Sequence, residues 1–563
     1  MPIAQLLSGA SIAVTSSSKE GLQTRTIELK EMPERSQNST SEEEEEDDII
    51  SNTIGKYGKW QFLLTFILAL VNIPCTWHIF VPIFHAREMK FICVQPPGSC
   101  QTIDSCQVSI ESVGNSSCSV DSNITLVKCE NWRFLGEGVT ITSEFDLVCD
   151  RKSLINLAEM MFLAGVALGG LVSGIISDKY GRKRTLLASI FIQCTIGTTI
   201  AFAPWFELYV ALRCILGFFS VSVVFSGFVL TIELVGGHWR TISGISYLFP
   251  VALGYCTIAG MAYVLQDWRH LQIAVSLPGT AFLFLWWFIP ESPRWLLALG
   301  KTKEVIQILE RAAKFNNKPL PANLEKSLVP VQKMDQTENH NVGVLDLFKN
   351  AAMRKKTLIL FLIWFGVYLV YYGLVLNLGN LGGDLYVNSC LTGLVEVPAV
   401  ALSILILIKG GRRWPLALTM ILSGIFAGLA IPVSWISDDL QWLITTFMMT
   451  SKFCVSSSNV IMPVYTAELY PTIIRNIGVG AANVPAGVAL MLVPYLFELA
   501  FIDRSVPLLV ITIIGVVGGA SVLFLPETGV QPLPDTLDGN QATRMSIASA
   551  NGDVKKINNN HRV

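Results

Sequence analysis

A chain of 563 residues that is 51% hydrophobic and only 15% charged carries too little polar surface to cover a soluble globule. Its formal net charge of −2 is close to balance, says little about partners and gives no reason to expect nucleic acid among them. Hydrophobic runs of about 20 residues, the length that crosses roughly 30 Å of hydrocarbon, recur from Lys59 to Pro526. The expected fold is an all-α membrane protein, with twelve transmembrane helices in two pseudo-symmetric six-helix bundles inside the lipid bilayer.

Residues 1–55 include Ser41 and the acidic run Glu42 to Asp48, a self-repelling block expected to form a disordered cytoplasmic tail with no cleavable signal peptide ahead of it. The first bundle, 56–295, holds spans near 60–84, 153–177, 185–203, 207–230, 241–264 and 271–289. Its first loop, 85–152, contains Cys93, Cys100, Cys106, Cys118, Cys129 and Cys149. An even set of cysteines in an oxidising compartment predicts three disulfides, with fifteen pairings open. Asn115-Ser-Ser and Asn123-Ile-Thr in the same loop are glycosylation acceptors, meaningful only on an outer face, whereas Asn38-Ser-Thr in the tail should stay bare. A polar, Lys-rich linker with a helical pattern from Glu304 to Lys314 occupies 296–355. The second bundle, 356–530, holds spans near 357–377, 385–408, 415–433, 441–465, 477–497 and 506–525, followed by a tail at 531–563.

Positive charge fixes the orientation. Lys179, Arg182, Lys183 and Arg184 follow the second span, Lys409, Arg412 and Arg413 follow the eighth, and the linker is basic, so these segments and both termini are expected on the cytoplasmic side of the plasma membrane. The Cys-rich loop then lies outside, where it is also a candidate surface for oligomer contacts.

Matching motifs recur at a nearly constant offset. Glu233 and Arg240 leave the fourth span as Glu-x6-Arg, and Glu468 and Arg475 leave the tenth with the same spacing, 235 residues on. Pro290-Glu291-Ser292 is echoed by Pro526-Glu527-Thr528, and Gly181-Arg182 by Gly411-Arg412. Each half therefore has six spans, related as parallel repeats. The segment Gly174-Ile-Ile-Ser-Asp178-Lys-Tyr-Gly181-Arg182-Lys-Arg184 pairs helix-permissive glycines with charges able to bridge helix ends. Asp178, Gly181, Arg182, Glu233, Arg240, Glu468 and Arg475 are read as a cytoplasmic latch, weaker in the second half, where Ile408 stands in place of the acid.

These motifs resemble the major facilitator superfamily and, within it, the organic cation, anion and carnitine transporters. The resemblance extends to Ser143-Glu-Phe-Asp-Leu-Val-Cys149-Asp150, Glu291-Ser-Pro-Arg-Trp-Leu296, Glu468-Leu-Tyr-Pro-Thr-Ile-Ile-Arg-Asn-Ile-Gly478 and Leu525-Pro-Glu-Thr-Gly529, and covers nearly the whole chain. It implies gradient-driven transport of small organic cations or zwitterions, such as carnitine-like or amino-acid-derived amines, with Na⁺ or H⁺ as candidate coupling ions. An organic anion transporter, a sugar porter and a nutrient receptor on the same scaffold are the alternatives. No nucleotide-binding glycine loop, metal-ligand spacing or enzyme signature is present, so no cofactor is expected.

Charges inside spans are costly, at least about 2.5–3.5 kcal/mol each, which makes them candidates for function. Glu396 in Leu394-Val-Glu-Val-Pro398 is the deepest acid, Arg213 lies in the fourth span and Lys452 in the tenth, while Glu159 and Glu498 fall near outer ends and should be wet. The resemblance implies that Glu396 faces the central cavity as the counter-charge of a substrate amine, and that Trp364, Tyr371 and Tyr247 form aromatic walls suited to organic cations; Tyr368 joins them, with plain packing as the competing reading. Gly487 departs from the family, whose cation members carry an aspartate there and whose anion or carnitine members carry an arginine. Lys452 in Ser451-Lys-Phe453 resembles the carnitine branch.

Overall fold

The computed structural model describes residues 49–528, except 88, 95–98, 105, 112–123, 137, 320–345, 377–382, 410, 437–439, 472–473 and 504. The acidic tail as far as residue 48, Cys118, Asn115, Asn123, most of the linker and the C-terminal tail lie outside the described residues, as does the side chain of Cys100.

Apolar runs become helices because in hydrocarbon every backbone N–H and C=O must be satisfied within the segment. Among the described residues twelve such segments follow one another: Lys59–His85, Ser153–Tyr180, Arg182–Ile200, Phe206–Glu233, Trp239–Val264 and Trp268–Ser276, the last prolonged as a tighter helix over Leu277–Trp286; then Ala351–Leu376, Leu385–Lys409, Arg413–Ile436, Gln441–Leu469, Arg475–Leu496 and Val506–Val522. Eight are long and apolar enough to cross a bilayer by length and composition; the third, sixth, tenth and twelfth are shorter or more polar. The sixth changes pitch at Leu277-Pro278, where proline supplies no N–H for the α-helical ladder.

Close packing within each half is made by glycine. Spans two and four cross where a Cβ on Gly165 would fall 2.0 Å from the Cys214 carbonyl oxygen, and one on Gly217 would fall 2.2 Å from that of Phe162. Spans nine and twelve meet at Gly424 and Gly515, where a Cβ on Gly515 would lie 2.8 Å from Gly424 Cα. The two halves touch along spans two and eleven and along spans five and eight.

The loop between spans one and two folds on its own backbone. β1 (Lys90–Cys93) pairs antiparallel with β5 (Trp132–Leu135), and β2 (Ser99–Asp104), β3 (Gln107–Glu111) and β4 (Ile124–Lys128) form a meander. Two of the expected disulfides are described, Cys93–Cys129 and Cys106–Cys149, with Cα atoms 5.9 and 5.7 Å apart. Glu144 anchors the loop to the start of span six by an ion pair with Arg269.

The last residues of the expected disordered segment 1–55 are ordered. Ile49–Ile54 is helical, because Ile50 and Ile54 lie one turn apart and both bury against Leu296, Leu297, Val305 and Leu309 of the linker helices Pro293–Ala298 and Thr302–Phe315.

Gly165→Ala should lower the unfolding temperature of the detergent-purified protein, the overpacking costing about 1–3 kcal/mol. Gly174→Ala, whose added methyl meets nothing within 4 Å, is the matched control and should leave it unchanged or raised. Equal melting of the two variants would refute the glycine-mediated crossing.

Candidate functional site

A central cavity of about 230 Å³ lies between the halves. Spans one, two, four and five contribute Asn72, Thr76, Ala167, Gly170, Phe225 and Leu248; spans seven, eight, ten and eleven contribute Tyr368, Tyr371, Tyr372, Glu396, Asn459, Asn483 and Gly487. Glu396 is the charged residue of this lining. Two residues on, Pro398 stands inside span eight, where it cannot donate to the helix ladder.

Glu396 is not a solitary counter-charge. Its Oε2 lies 3.1 Å from Lys452 Nζ on span ten, and its Oε1 accepts a hydrogen bond of 3.0 Å from the Tyr371 hydroxyl. The Lys452 ammonium also sits over the Tyr371 ring, 3.1 Å from its centroid, with the Tyr255 ring at 5.9 Å. One tyrosine thus serves both ions, donating to the anion through its hydroxyl and facing the cation with its π-cloud. At an effective dielectric near 20, a pair at 3.1 Å has a Coulomb attraction of about 5 kcal/mol, offset in part by desolvation.

The structure gathers some of the other expected residues and not others. Tyr368 lines the cavity and stacks between Trp364 and Tyr372, at 5.9 and 6.1 Å. Trp364 is buried behind the cavity wall, donating to the Thr466 hydroxyl at 3.0 Å. Tyr247 is buried within the first half, fitted against Gly227 and donating to the Val224 carbonyl at 3.2 Å. Trp364, Tyr247 and Lys452 are not part of the cavity lining, Lys452 lying behind Glu396 and Tyr371. The amides Asn72, Asn459 and Asn483 are lining residues that a search confined to charges passes over. Their presence inside apolar runs was the available signal. Gly487 faces Ala167 across the halves, where a Cβ would come within 2.7 Å of the alanine methyl, so this position serves close approach of spans two and eleven.

Glu159 corrects the expectation of a wet outer acid. It is 8% exposed and faces Arg213 at 3.7 Å, making it a second acid held inside the bundle. Arg213 also donates to the His78 carbonyl at 3.1 Å and lies over the Phe162 ring at 4.2 Å, joining spans one, two and four. Both line a larger cavity of about 840 Å³ beneath the disulfide-bonded loop, with Arg87, Lys90 and Lys152 around it. Glu498 is exposed as expected and accepts from Asn156 at 2.8 Å.

On the opposite face each half carries the same network. Arg182 pairs with Glu233 at 3.1 Å, and Arg412 with Glu468 at 3.1 Å. Glu291 accepts from the Lys183 amide at 2.9 Å and Glu527 from the Arg412 amide at 2.6 Å, so each carboxylate caps the N-terminus of the third helix of its own half, spans three and nine respectively. Glycine leaves room for these carboxylates: at Gly181 a φ of +101° also favours glycine and a Cβ would fall 2.5 Å from the Glu291 carboxylate, and a Cβ on Gly411 would fall 2.6 Å from that of Glu527. Asp178 adds an ion pair to Arg182 at 2.7 Å, but its side chain is 72% exposed. Ile408 therefore removes only a solvated partner from the second network, whose central pair is intact. Arg240 donates to the Val235 carbonyl at 3.0 Å, and Arg475 opens span eleven.

Twelve helical segments in two repeated halves around a central cavity define a major facilitator transporter, a membrane protein and not an enzyme. Among solved structures, the proton:xylose symporter XylE bound to 6-bromo-6-deoxy-D-glucose shares this fold, with a TM-score of 0.60 at 18% identity over 85% of this chain and 98% of that one. Its inward-open form from E. coli gives 0.60 at 15% identity, over 84% and 98%. The sugar (and other) transporter family matches residues 115–535. An organic cation transporter protein of Drosophila melanogaster is 35% identical over 520 residues, 87% of this chain and 93% of that protein. Solute carrier family 22 member 13 of Homo sapiens is 37% identical over 398 residues, and organic cation/carnitine transporter 2 of Homo sapiens 35% over 401, each covering 71% of both chains. The chain belongs to the sugar (and other) transporter family and, within it, to the solute carrier 22 transporters of organic ions.

If the Arg182–Glu233 pair sets the shape of the first half's inner end, Arg182→Ala should cut the transport rate by roughly tenfold, about 1.4 kcal/mol, with substrate affinity nearly unchanged. Asp178→Asn should have the smaller effect because its carboxylate is solvated. Loss of substrate binding in folded, surface-expressed Arg182→Ala would overturn the assignment.

Proposed function

We propose that this protein carries small organic zwitterions, carnitine-like or amino-acid-derived, and more weakly simple cations, across the plasma membrane by gradient-driven alternating access. The Glu396–Lys452 pair beside the central cavity is the observation that supports this reading. A bare cation approaching Glu396 has to compete with the Lys452 ammonium already 3.1 Å away. A zwitterion brings its own anion, so its amine replaces Lys452 on Glu396 while its carboxylate takes up Lys452, and no buried charge is left alone. Tyr371, Tyr368 and Tyr372 supply aromatic surface for the alkylammonium group. The mixed cation and carnitine names of the relatives are in keeping with such a site.

The charge distribution favours both termini in the cytoplasm and the disulfide-bonded loop outside, which makes Asn115 and Asn123 glycosylation sites. Enzymatic deglycosylation should increase the protein's gel mobility, and an Asn115→Gln, Asn123→Gln double variant should already migrate at the faster position; identical migration of all forms would refute this orientation.

Uptake of a labelled cation, zwitterion and anion, with and without sodium and with the membrane depolarised, tests class and driving force together. Glu396→Gln should lower cation and zwitterion uptake by roughly tenfold or more at unchanged surface level, a loss of at least about 1.4 kcal/mol of binding. Lys452→Ala should abolish the preference for the zwitterion over the cation. Since breaking a buried pair costs about 3–5 kcal/mol, a Glu396→Gln, Lys452→Gln double variant guards against misfolding: it should reach the surface without transporting. Normal zwitterion uptake by both single variants would sink the proposal.

A further inference from the structure

Spans five and eight come from different halves, and they meet on the side of the bundle that carries the disulfide-bonded loop. Gly393 lets them approach so closely that a Cβ there would fall 2.7 Å from the Ala252 carbonyl oxygen and 3.5 Å from Cys256 Sγ. In this contact the thiol of Cys390 on span eight lies 3.1 Å from Cys256 Sγ on span five, and the Cys256 thiol also approaches the Cys390 carbonyl at 3.6 Å. Both thiols are half-buried. One turn nearer the loop, Tyr386 stacks on Phe84 at 5.8 Å and accepts from Arg87 at 2.8 Å, so the thiols sit within a packed stretch of the interface between halves.

We propose that Cys256 and Cys390 form a reversible disulfide that locks the two halves together on the loop side and arrests transport. The arrest rests on the alternating-access reading above, because the contact between spans five and eight has to open for the cavity to reach that side. Closing the sulfurs from 3.1 Å to a bond of about 2.05 Å takes small side-chain rotations. A peroxide is a sufficient oxidant: one thiolate attacks a peroxide oxygen, giving a sulfenic acid and one water, and the second thiol then displaces the sulfenic oxygen as another water. The two sulfurs together lose two electrons, which the cleaved O–O bond accepts. A dithiol reverses the step by exchange.

The bond can be read without reference to transport. The second half contains only Cys390 and Cys454, and all the other cysteines belong to the first. A full-length protein with a protease site inserted within 320–345, treated with hydrogen peroxide in membranes and then cut, should run on a non-reducing gel as one joined species that dithiothreitol separates. Cys256→Ser and Cys390→Ser should each abolish the joined species, and Cys454→Ser should retain it. Peroxide should abolish uptake by the uncut protein, dithiothreitol should restore it, and Cys256→Ser should be insensitive. Absence of the joined species, or its persistence in Cys256→Ser, overturns the lock. A joined species with undiminished uptake overturns the arrest. Failure of the untreated protein to take up any substrate would count against the transporter reading, while the gel would still decide the bond.

Discussion

Glu396 and Lys452 sit 3.1 Å apart within helices that an apolar solvent surrounds, where neither charge could remain alone. Among the described residues the buried ions Glu159, Arg213, Glu396 and Lys452 all have a partner on another helix. Arg213 is shared between Glu159 on span two and the His78 carbonyl on span one. Because the partners belong to different helices, every such pair also specifies which spans are neighbours. Apolar packing in lipid cannot do this as strictly, since lipid tails solvate a leucine as well as another leucine does.

The same reasoning extends to the charged ends on the basic face. In Arg182 with Glu233 and Glu291, and in Arg412 with Glu468 and Glu527, each carboxylate faces a guanidinium or a helix N-terminus of its own half. Gly181 and Gly411 leave the space that the capping carboxylates fill. Small side chains let the halves approach closely at Ala167 with Gly487 and at Ala252 with Gly393, while Tyr386 with Phe84 and Arg87, and Glu498 with Asn156, also join them. Halves held together internally by such networks suit rocking of one bundle against the other.

The twelve spans, the repeat and the two capping motifs were legible because each is written in contiguous residues: an apolar run, a Glu-x6-Arg or a Pro-Glu-Ser. Glu396 and Lys452 were legible separately, as rare charges in apolar runs. Their pairing was not, since it depends on how spans eight and ten are rotated and staggered, which no local pattern records. Burial of Glu159 escaped for the same reason: closeness to a helix end suggests water, and only the fold reveals the loop lid above it and Arg213 beside it. Trp364 and Tyr247 carry the right chemistry for a cavity wall, but hydrogen bonds to Thr466 and Val224 turn them into the packing of their own halves. The strands of the outer loop were hidden by its cysteines and turn residues, which outweigh five short runs.

The paired state of Glu396 changes what selectivity means at this site. A cavity with one bare acid would select by sign, and its affinity would fall as salt screened the attraction. On the proposed zwitterion reading, with Lys452 already in place the first cost of binding would be separation of an existing pair, and a ligand would repay that cost only by presenting two charges at a spacing that reaches both partners. Tyr371 reinforces the requirement, because its hydroxyl and its ring hold anion and cation in a fixed relation. The glycine at position 487, by adding no third charge, leaves that relation undisturbed and permits spans two and eleven to close on the cavity. Under that proposal, discrimination would rest on the distance between charges within the ligand, a geometric property, more than on its net charge.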